Sequence, residues 1–385
     1  MKKIYTLSLL FLTAIGFSQP ANYYNNATGT GYALKTQLKT IVTNGHNPQS
    51  YTTGLWSLYA TSLRDNFYEN DGSLLDIYSE NPNGPDPYNY TGTSQQCGNY
   101  NAEGICYNKE HLIPQSYFNS AMPMYSDAHH VVPSDGRVNG WRNNYAFGVV
   151  EATTTSPCNG GASNTPCNSQ NGSKKGTNKN SGYSAGFSGI VFEPIDEFKG
   201  DIARSFLYFA TRYETEMSGL YTTAMADPNR PEATVMFDGT SNKVFSDTFL
   251  NILLTWHQND PVSAKEIAFN NAIYTFQGNR NPYIDHPEYV CQIWSAACTA
   301  LSTQNFALAS ISIYPNPSNN HIINIETKQI LDEIQLINLN GQLMQEIKNP
   351  NSQNNTYTLE NLPSGFYFLK LTSKNHSITK KVIVN

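Results

Sequence analysis

The sequence predicts an α+β body with surrounding helices and long loops, followed by a small C-terminal all-β sandwich. Two observations lead there. Several segments between residues 32 and 278 repeat apolar residues at helical intervals, with strand-like stretches between them. From residue 311 the pattern changes to short alternating runs divided by Asn, Gly and Pro. Composition agrees: 385 residues give room for two or three domains, and a 39% hydrophobic content is enough to fill cores. The 25 Tyr, 20 Pro and 26 Gly, with long runs of Asn, Ser and Thr, mark a loop-rich, outward-facing protein.

The chain opens on MKKIYTLSLLFLTAIGFSQP, with Lys2 and Lys3, an apolar run to Phe17, then small and polar residues from Ser18. This is the layout of a secretory signal peptide over 1–18, its apolar part too short to anchor in a membrane. No later segment approaches the roughly 18 apolar residues that a span requires. The expected mature protein is therefore soluble and exported. The cysteines agree, because Cys97 and Cys106, Cys158 and Cys167, and Cys291 and Cys298 fall into three sequence-local pairs. An even count in an exported chain reads as disulfides, each stiffening a short loop, although spacing leaves the connectivity open. A zinc site is the rival reading, and no CxxC pair stands behind it.

The body, 19–298, holds every cysteine. Its predicted helices are 32–46, 55–69, 202–217, 245–260 and 263–278, the third with Ile202, Phe206 and Phe209 at steps of four and three. Strand-like residues gather around 107–113 and 145–151, and 156–189 reads as a long low-complexity loop. A linker is expected at 299–310, then the sandwich at 311–385, with Asn340-Gly341 at a hairpin bend.

The tail resembles the C-terminal sorting domain of the type IX secretion pathway. The residues that carry this are YPNP (314–317), NLNGQ (338–342), LPSGFYFLKL (362–371) and the terminal KKVIVN. The resemblance implies an outer-membrane secretion machinery as partner, and removal of the tail or attachment to the cell surface. A plain β-sandwich for adhesion or sugar binding is the alternative.

Chemistry is expected where YNKEHLIPQS (107–116) meets YSDAHHVVPSDGRVNGWRNNYAFG (125–148). Pro133, Ser134 and Asp135 are helix-start residues, so a helix should begin there and place Asn139 and Arg142 on one face. A strand presenting Glu110 and His111 and a helix presenting Asn139 bring three polar groups together. A carboxylate and an amide oxygen suit Mg²⁺, which keeps several waters, and a histidine beside the ion can act as general base.

These motifs, with FEPIDEFKGDIARSFLYFATRY (192–213) and NRNPYIDHPE (279–288) in the same order, resemble the bacterial endonuclease I family from about residue 50 to 298. Its members are exported nucleases of the His-Me finger, or ββα-metal, fold. Carried over by position, the resemblance implies that His111 is the general base and that Glu110 and Asn139 hold one Mg²⁺. It implies that Arg142 holds phosphate, that Asn144 contacts substrate, and that products carry 5′-phosphates. Mn²⁺ or Ca²⁺ in place of Mg²⁺ is left open. The family's best-studied branch has Asn where this chain has His130, so no role is assigned to His129 or His130 beyond positioning backbone. His257, Arg204, Asp285 and His286 read as core bracing, and the lysines of SKKGTNK (173–179) as a solvated run in a flexible loop.

Charge argues the other way. The chain carries a formal net charge of −6, with 24 Lys and Arg against 30 Asp and Glu, whereas a nucleic-acid binder usually presents a basic face. Binding should then be modest, salt-sensitive and indifferent to sequence. The reading is a secreted or cell-surface, monomeric, metal-dependent endonuclease acting on DNA, with RNA left open. An RNA- or small-ester-restricted phosphodiesterase is one alternative. A non-catalytic cell-surface binding protein on a nuclease scaffold is the other.

Overall fold

The computed structural model describes residues 19–98, 100–151, 167–225, 235–301, 311–373 and 376–385. The expected signal peptide and Cys158 lie outside them. Helix α1 (Gly31–Thr43) buries Leu34, Leu38 and Val42, one face at steps of four. Helix α2 (Gly54–Ser62) buries Leu55, Leu58 and Tyr59 but stops at Ser62, short of the predicted 69. The cause is Asp65, whose buried carboxylate accepts from the amides of Phe67 and Tyr68 at 3.0 Å and of Asn70 at 2.9 Å. A short acidic side chain that captures backbone donors in this way offers them an alternative to a helix.

Strand β1 (Tyr107–His111) pairs antiparallel with β2 (Val131–Asp135), Glu110 opposite Val132 and His111 opposite Val131. Helix α3 (Gly136–Arg142) follows at once. Asp135 is its N-cap and accepts from Arg137 N at 2.7 Å and Val138 N at 2.8 Å. The predicted helix start therefore holds at Asp135, while Pro133 and Ser134 belong to β2. This ββα unit rests on a core patch of Leu55, Tyr59, Tyr107, Val131 and Ile273, and Tyr59 donates to the Val131 carbonyl at 2.8 Å.

A second sheet collects β3 (Ala146–Phe147), β4 (Cys167–Asn168), β5 (Lys174–Thr177) and β6 (Ile190–Glu193) in the order β3-β6-β5-β4. The lysine run is thus a strand rather than a flexible loop, because β5 pairs along its length with β6. Lys175 is buried, and Lys174 lies 3.9 Å from Glu193.

Helix α4 (Lys199–Arg212) is almost wholly buried, followed by α5 (Met217–Met225), α6 (Asp247–Asn259) and α7 (Ala264–Gln277). Phe206 of α4 meets Phe249 of α6 edge-on at 5.1 Å. Arg204 forks onto both oxygens of Glu266, at 2.5 and 2.7 Å, and so ties α4 to α7. Helix α7 ends at Gly278, φ 84°, where a Cβ would meet the Gly45 carbonyl at 2.2 Å. Two short helices, α8 (Pro282–Asp285) and α9 (Tyr289–Ile293), follow. Cys97–Cys106 and Cys291–Cys298 are disulfides, and of the third expected pair only Cys167 is in view. Residues 295–301 are helical and Leu301 is in the core, so the body runs past the expected start of the linker.

The tail forms two sheets around its own core of Ile323, Ile325, Leu336, Leu369, Leu371 and Val382. One contains β9 (Glu333–Asn338), β10 (Leu343–Lys348), β12 (Gly365–Ser373) and β13 (His376–Val384). The other contains β7 (Ser312–Tyr314), β8 (Ile323–Glu326) and β11 (Thr356–Leu359). The β9–β10 bend carries Gly341 at φ 78°, with Asn338 bonded across to Gln342. Among the described residues no helix is long and apolar enough to cross a membrane.

Asp135 also accepts from the Tyr90 hydroxyl at 2.5 Å and the Gly104 amide at 2.9 Å. Asp135→Ala removes a cap worth about 1 kcal/mol and strands a buried hydroxyl at roughly 1–3 kcal/mol. Urea unfolding should show that combined loss, with Asp135→Asn recovering the cap's share.

Candidate active site

The ββα unit brings Glu110, His111, Asn139 and Arg142 together at one strand end. Asn139 donates through Nδ2 to the Lys109 carbonyl at 3.1 Å and to Ser134 Oγ at 3.2 Å. Arg142, three residues on and on the same face, donates to the carbonyls of His111 at 2.9 Å and Leu112 at 2.5 Å. It also lies 3.2 Å from Glu110 Oε1. Helix α3 is thereby tied to the last residues of β1 by side-chain donors onto backbone acceptors, which fixes both neighbours of the Glu110 side chain.

Glu110 is 2% exposed, and its Oε1 also accepts from the Tyr78 hydroxyl at 3.0 Å. Burial pushes its carboxyl up to about 7, against the pull of Arg142 and of the Tyr78 bond. With both partners on Oε1, Oε2 keeps its lone pairs among the described residues. The Asn139 amide spends its donors on Lys109 and Ser134, and its Oδ1 is likewise left as an acceptor. Two oxygen donors without sulfur or imidazole fit a hard divalent cation that retains water.

His111 is held by three contacts. Its Nε2 lies 3.0 Å from the Tyr125 carbonyl. Its ring stacks on Tyr125 at 5.4 Å and on Tyr51 at 5.6 Å. A carbonyl can only accept, so Nε2 carries the hydrogen, and in the neutral ring Nδ1 carries the lone pair. Burial, then the charges of His130, Arg142 and Lys109, push the ring down to about 3, which keeps it neutral. Lys109, two residues back and on the same face of β1 as His111, sits with Nζ 3.1 Å from the Trp56 ring centroid and 4.5 Å from that of Tyr51.

The other expected residues stand further back. Arg142 is 1% exposed and spends both terminal nitrogens on protein acceptors. A direct hold on phosphate does not fit that burial; its place is behind the site. Asn144 is half-buried, and its side chain has, among the described residues, a single long 3.5 Å contact to Ser116 Oγ. His129 and His130 are buried, each with Nε2 on a carbonyl, Asn279 at 3.1 Å and Met124 at 2.7 Å. Between them Asp127 accepts from Tyr208, Tyr213 and Gln277, so this group braces α4 and α7 against the turn before β2. His257 bonds the Pro287 carbonyl at 3.2 Å, and Asp285 takes Arg280 at 2.6 and 2.7 Å.

Sequence reasoning missed Tyr78, Tyr51 and Tyr125. Tyr78 lies in a stretch without helical or alternating periodicity and carries no signal of its own. Tyr125 stands at the head of the motif that holds Asn139, and that adjacency was the available hint.

Across residues 30–288 the chain matches the family model for endonuclease I, and across 312–385 that for the secretion system C-terminal sorting domain. It is 30% identical over 276 residues to an extracellular ribonuclease of Bacillus amyloliquefaciens, covering 71% of this chain and 78% of that protein. Against an extracellular ribonuclease of Bacillus subtilis (strain 168) it is 30% identical over 296 residues, covering 75% of this chain and 84% of that protein. A match of 30% over 94 residues to an ulvan lyase of Nonlabens ulvanivorans covers 17% of that protein, too small a share to carry its activity.

Two outcomes follow from the geometry. Arg142→Lys cannot serve two carbonyls and a carboxylate at once, so it should lower the stability of the substrate-free protein by about 2–4 kcal/mol in urea unfolding. An arginine that only held phosphate would leave that stability unchanged. His130 is pushed by burial from 6.5 down to about 4, so the unfolded chain takes up its proton first as pH falls. The stability it contributes above 6.5 is lost between about 6.5 and 4, and melting curves of His130→Asn should show a shallower loss there than wild type.

Proposed function

The chain belongs to the endonuclease I family and is a secreted or cell-surface hydrolytic nuclease. On that premise we propose that it cuts DNA, and RNA as well, without reading sequence. In this reading His111 is the general base beside one Mg²⁺ held by Glu110 and Asn139. Metal dependence is typical of the family. The observation that carries the reading is the Nε2 bond of His111 to the Tyr125 carbonyl, which presents Nδ1 as the only basic atom of a ring already fixed by stacking.

His111 Nδ1 takes a proton from water as the water oxygen attacks phosphorus, and the bond from phosphorus to the 3′ oxygen breaks. The phosphate stays on the 5′ side. A bound Mg²⁺ supplies Lewis-acid stabilisation of the charge that develops on the phosphoryl oxygens and the leaving oxygen. Arg142 acts as a positioning residue: it holds the His111 and Leu112 carbonyls, so the base and its neighbouring ligand keep their spacing. Asn144, weakly held at 3.5 Å, is free to turn its amide to the substrate backbone.

Attack by water makes no use of a 2′-hydroxyl, so the chemistry is common to both nucleic acids. The names of the two Bacillus relatives support RNA as a substrate. Indifference to sequence rests on phosphate contacts, which carry no base information. The acidic balance of the chain implies that such contacts are few and weaken with salt.

Purified protein with Mg²⁺ should nick and then smear supercoiled plasmid and degrade single-stranded RNA, with EDTA stopping both. His111→Ala should cut on the order of 10²–10⁴ times more slowly while melting close to wild type. Glu110→Ala or Asn139→Ala should raise the Mg²⁺ concentration needed and lower the rate together. Undiminished cleavage by His111→Ala would remove it from the mechanism.

A further inference from the structure

Between α2 and β1, the described residues of 63–106 form no helix or strand beyond isolated bridges such as Arg64 to Leu74. A connection of this length inside a compact body needs something to hold it. Part of the hold is Asp65, fully buried, with three amides on its carboxylate. Further along lies Glu80, 1% exposed, and among the described residues neither of its carboxylate oxygens accepts from an N–H or hydroxyl donor; its near neighbour is another carboxyl, that of Glu69. One oxygen from each of Asp65, Glu69 and Glu80 lies within 4.8 Å of the others. Asp86 faces the same group.

Burial of carboxylates side by side is unfavourable unless a proton or a cation stands between them. Among the described residues no basic side chain is paired with Glu80: burial first, then the charges of Asp86, Glu69 and Asp65 and a hydrogen bond shared with Glu69, push its carboxyl up to about 9. Asp86 is pushed up to about 6 by burial and then by Glu69, Asp65 and Asp71, against the Asn81 amide. A donor set made only of carboxylate oxygens selects a hard cation over zinc or copper. Opposite ligands of a Ca²⁺ stand roughly 5 Å apart, and the three oxygens fit inside that span. Glu69 is exposed and leaves the group open to solvent.

We propose that Asp65, Glu69 and Glu80, with Asp86 beside them, form a Ca²⁺ site made of different residues from the Glu110–Asn139 pair. The ion clamps the start of the long connection to its middle. Its place suggests the purpose, because Tyr78, two residues before Glu80, donates to Glu110 Oε1 at 3.0 Å. A clamped Glu80 holds that hydroxyl on the carboxylate of the nuclease site. Calcium then acts as an extracellular signal of correct folding, and the Ca²⁺ site stands whether or not the proposed catalytic roles do.

The test uses the full chain, stripped with EGTA and kept in saturating Mg²⁺, with CaCl₂ as the only variable. Wild type should bind one Ca²⁺ in equilibrium dialysis, melt at a higher temperature with it, and resist proteolysis between residues 63 and 90. Glu80→Gln should weaken that binding at least tenfold and lose the shift. Glu69→Gln, at an exposed position where folding is not at risk, should weaken both, while Glu110→Gln retains them. The proposal is overturned if Ca²⁺ shifts Glu80→Gln and Glu69→Gln as much as wild type. It is equally overturned if wild type does not respond and Glu80→Gln simply melts higher, which is the signature of a shared proton.

Discussion

Arg142 is buried between the end of β1 and α3, and the spacing of the site depends on where its donors go. A guanidinium removed from water is tolerable only when its hydrogens find acceptors. For the two terminal nitrogens those acceptors are the carbonyls of His111 and Leu112 and the carboxylate of Glu110, while Nε has none among the described residues. All three belong to the strand end that carries the proposed base and ligand. Moving α3 by a fraction of an ångström would leave a buried charge unpaired, so the helix is held in place by electrostatics as well as by packing. Asp135 does the same at the other end of the helix, where it caps α3 and takes the Tyr90 hydroxyl.

The surroundings of that strand end divide by chemistry. On one side the stacked rings of Tyr51, Tyr125 and His111 form an apolar wall, with Tyr51 and Tyr125 only 3.9 Å apart. A histidine in such a wall stays neutral and cannot rotate, and its remaining lone pair is aimed by the carbonyl that holds its other nitrogen. On the other side stand Glu110, Tyr78 and Asn139, all oxygen chemistry. A neutral imidazole as the proposed base, beside the oxygen atoms proposed to seat a cation, would suit hydrolysis of phosphodiesters, where positive charge belongs at the phosphate and not on the base.

Much of this was legible in the sequence, and the exceptions share a cause. Glu110, His111 and Asn139 could be placed because their sequence neighbours carry local signals: a strand-like stretch closed by Ile113-Pro114 and a helix start at the capping Asp135. The tail was legible for the same reason, with period-2 runs and Asn340-Gly341 at the bend. The contacts of Arg142 were not legible because a side chain's direction is a tertiary fact; the sequence marks the right helix face but not that β1 carbonyls lie within reach. The lysines at 174 and 175 read as a solvated run, yet β-pairing with β6 overrides composition and buries one of them. The connection from 63 to 106 was least legible of all. It is shaped by carboxylate and tyrosine contacts between distant residues, and these leave no periodic trace.

The central claim is that His111 delivers water to a phosphodiester, and the product itself can test it. Short DNA and RNA strands would be cut in ¹⁸O-enriched water and the new ends identified by mass spectrometry. The account predicts 5′-phosphates carrying one heavy oxygen on both nucleic acids, beside free 3′-hydroxyls. A 2′,3′-cyclic phosphate from RNA, with DNA left uncut, would contradict it, because the nucleophile would then be the substrate's own 2′-hydroxyl and the site would have no need of the water that His111 is placed to activate.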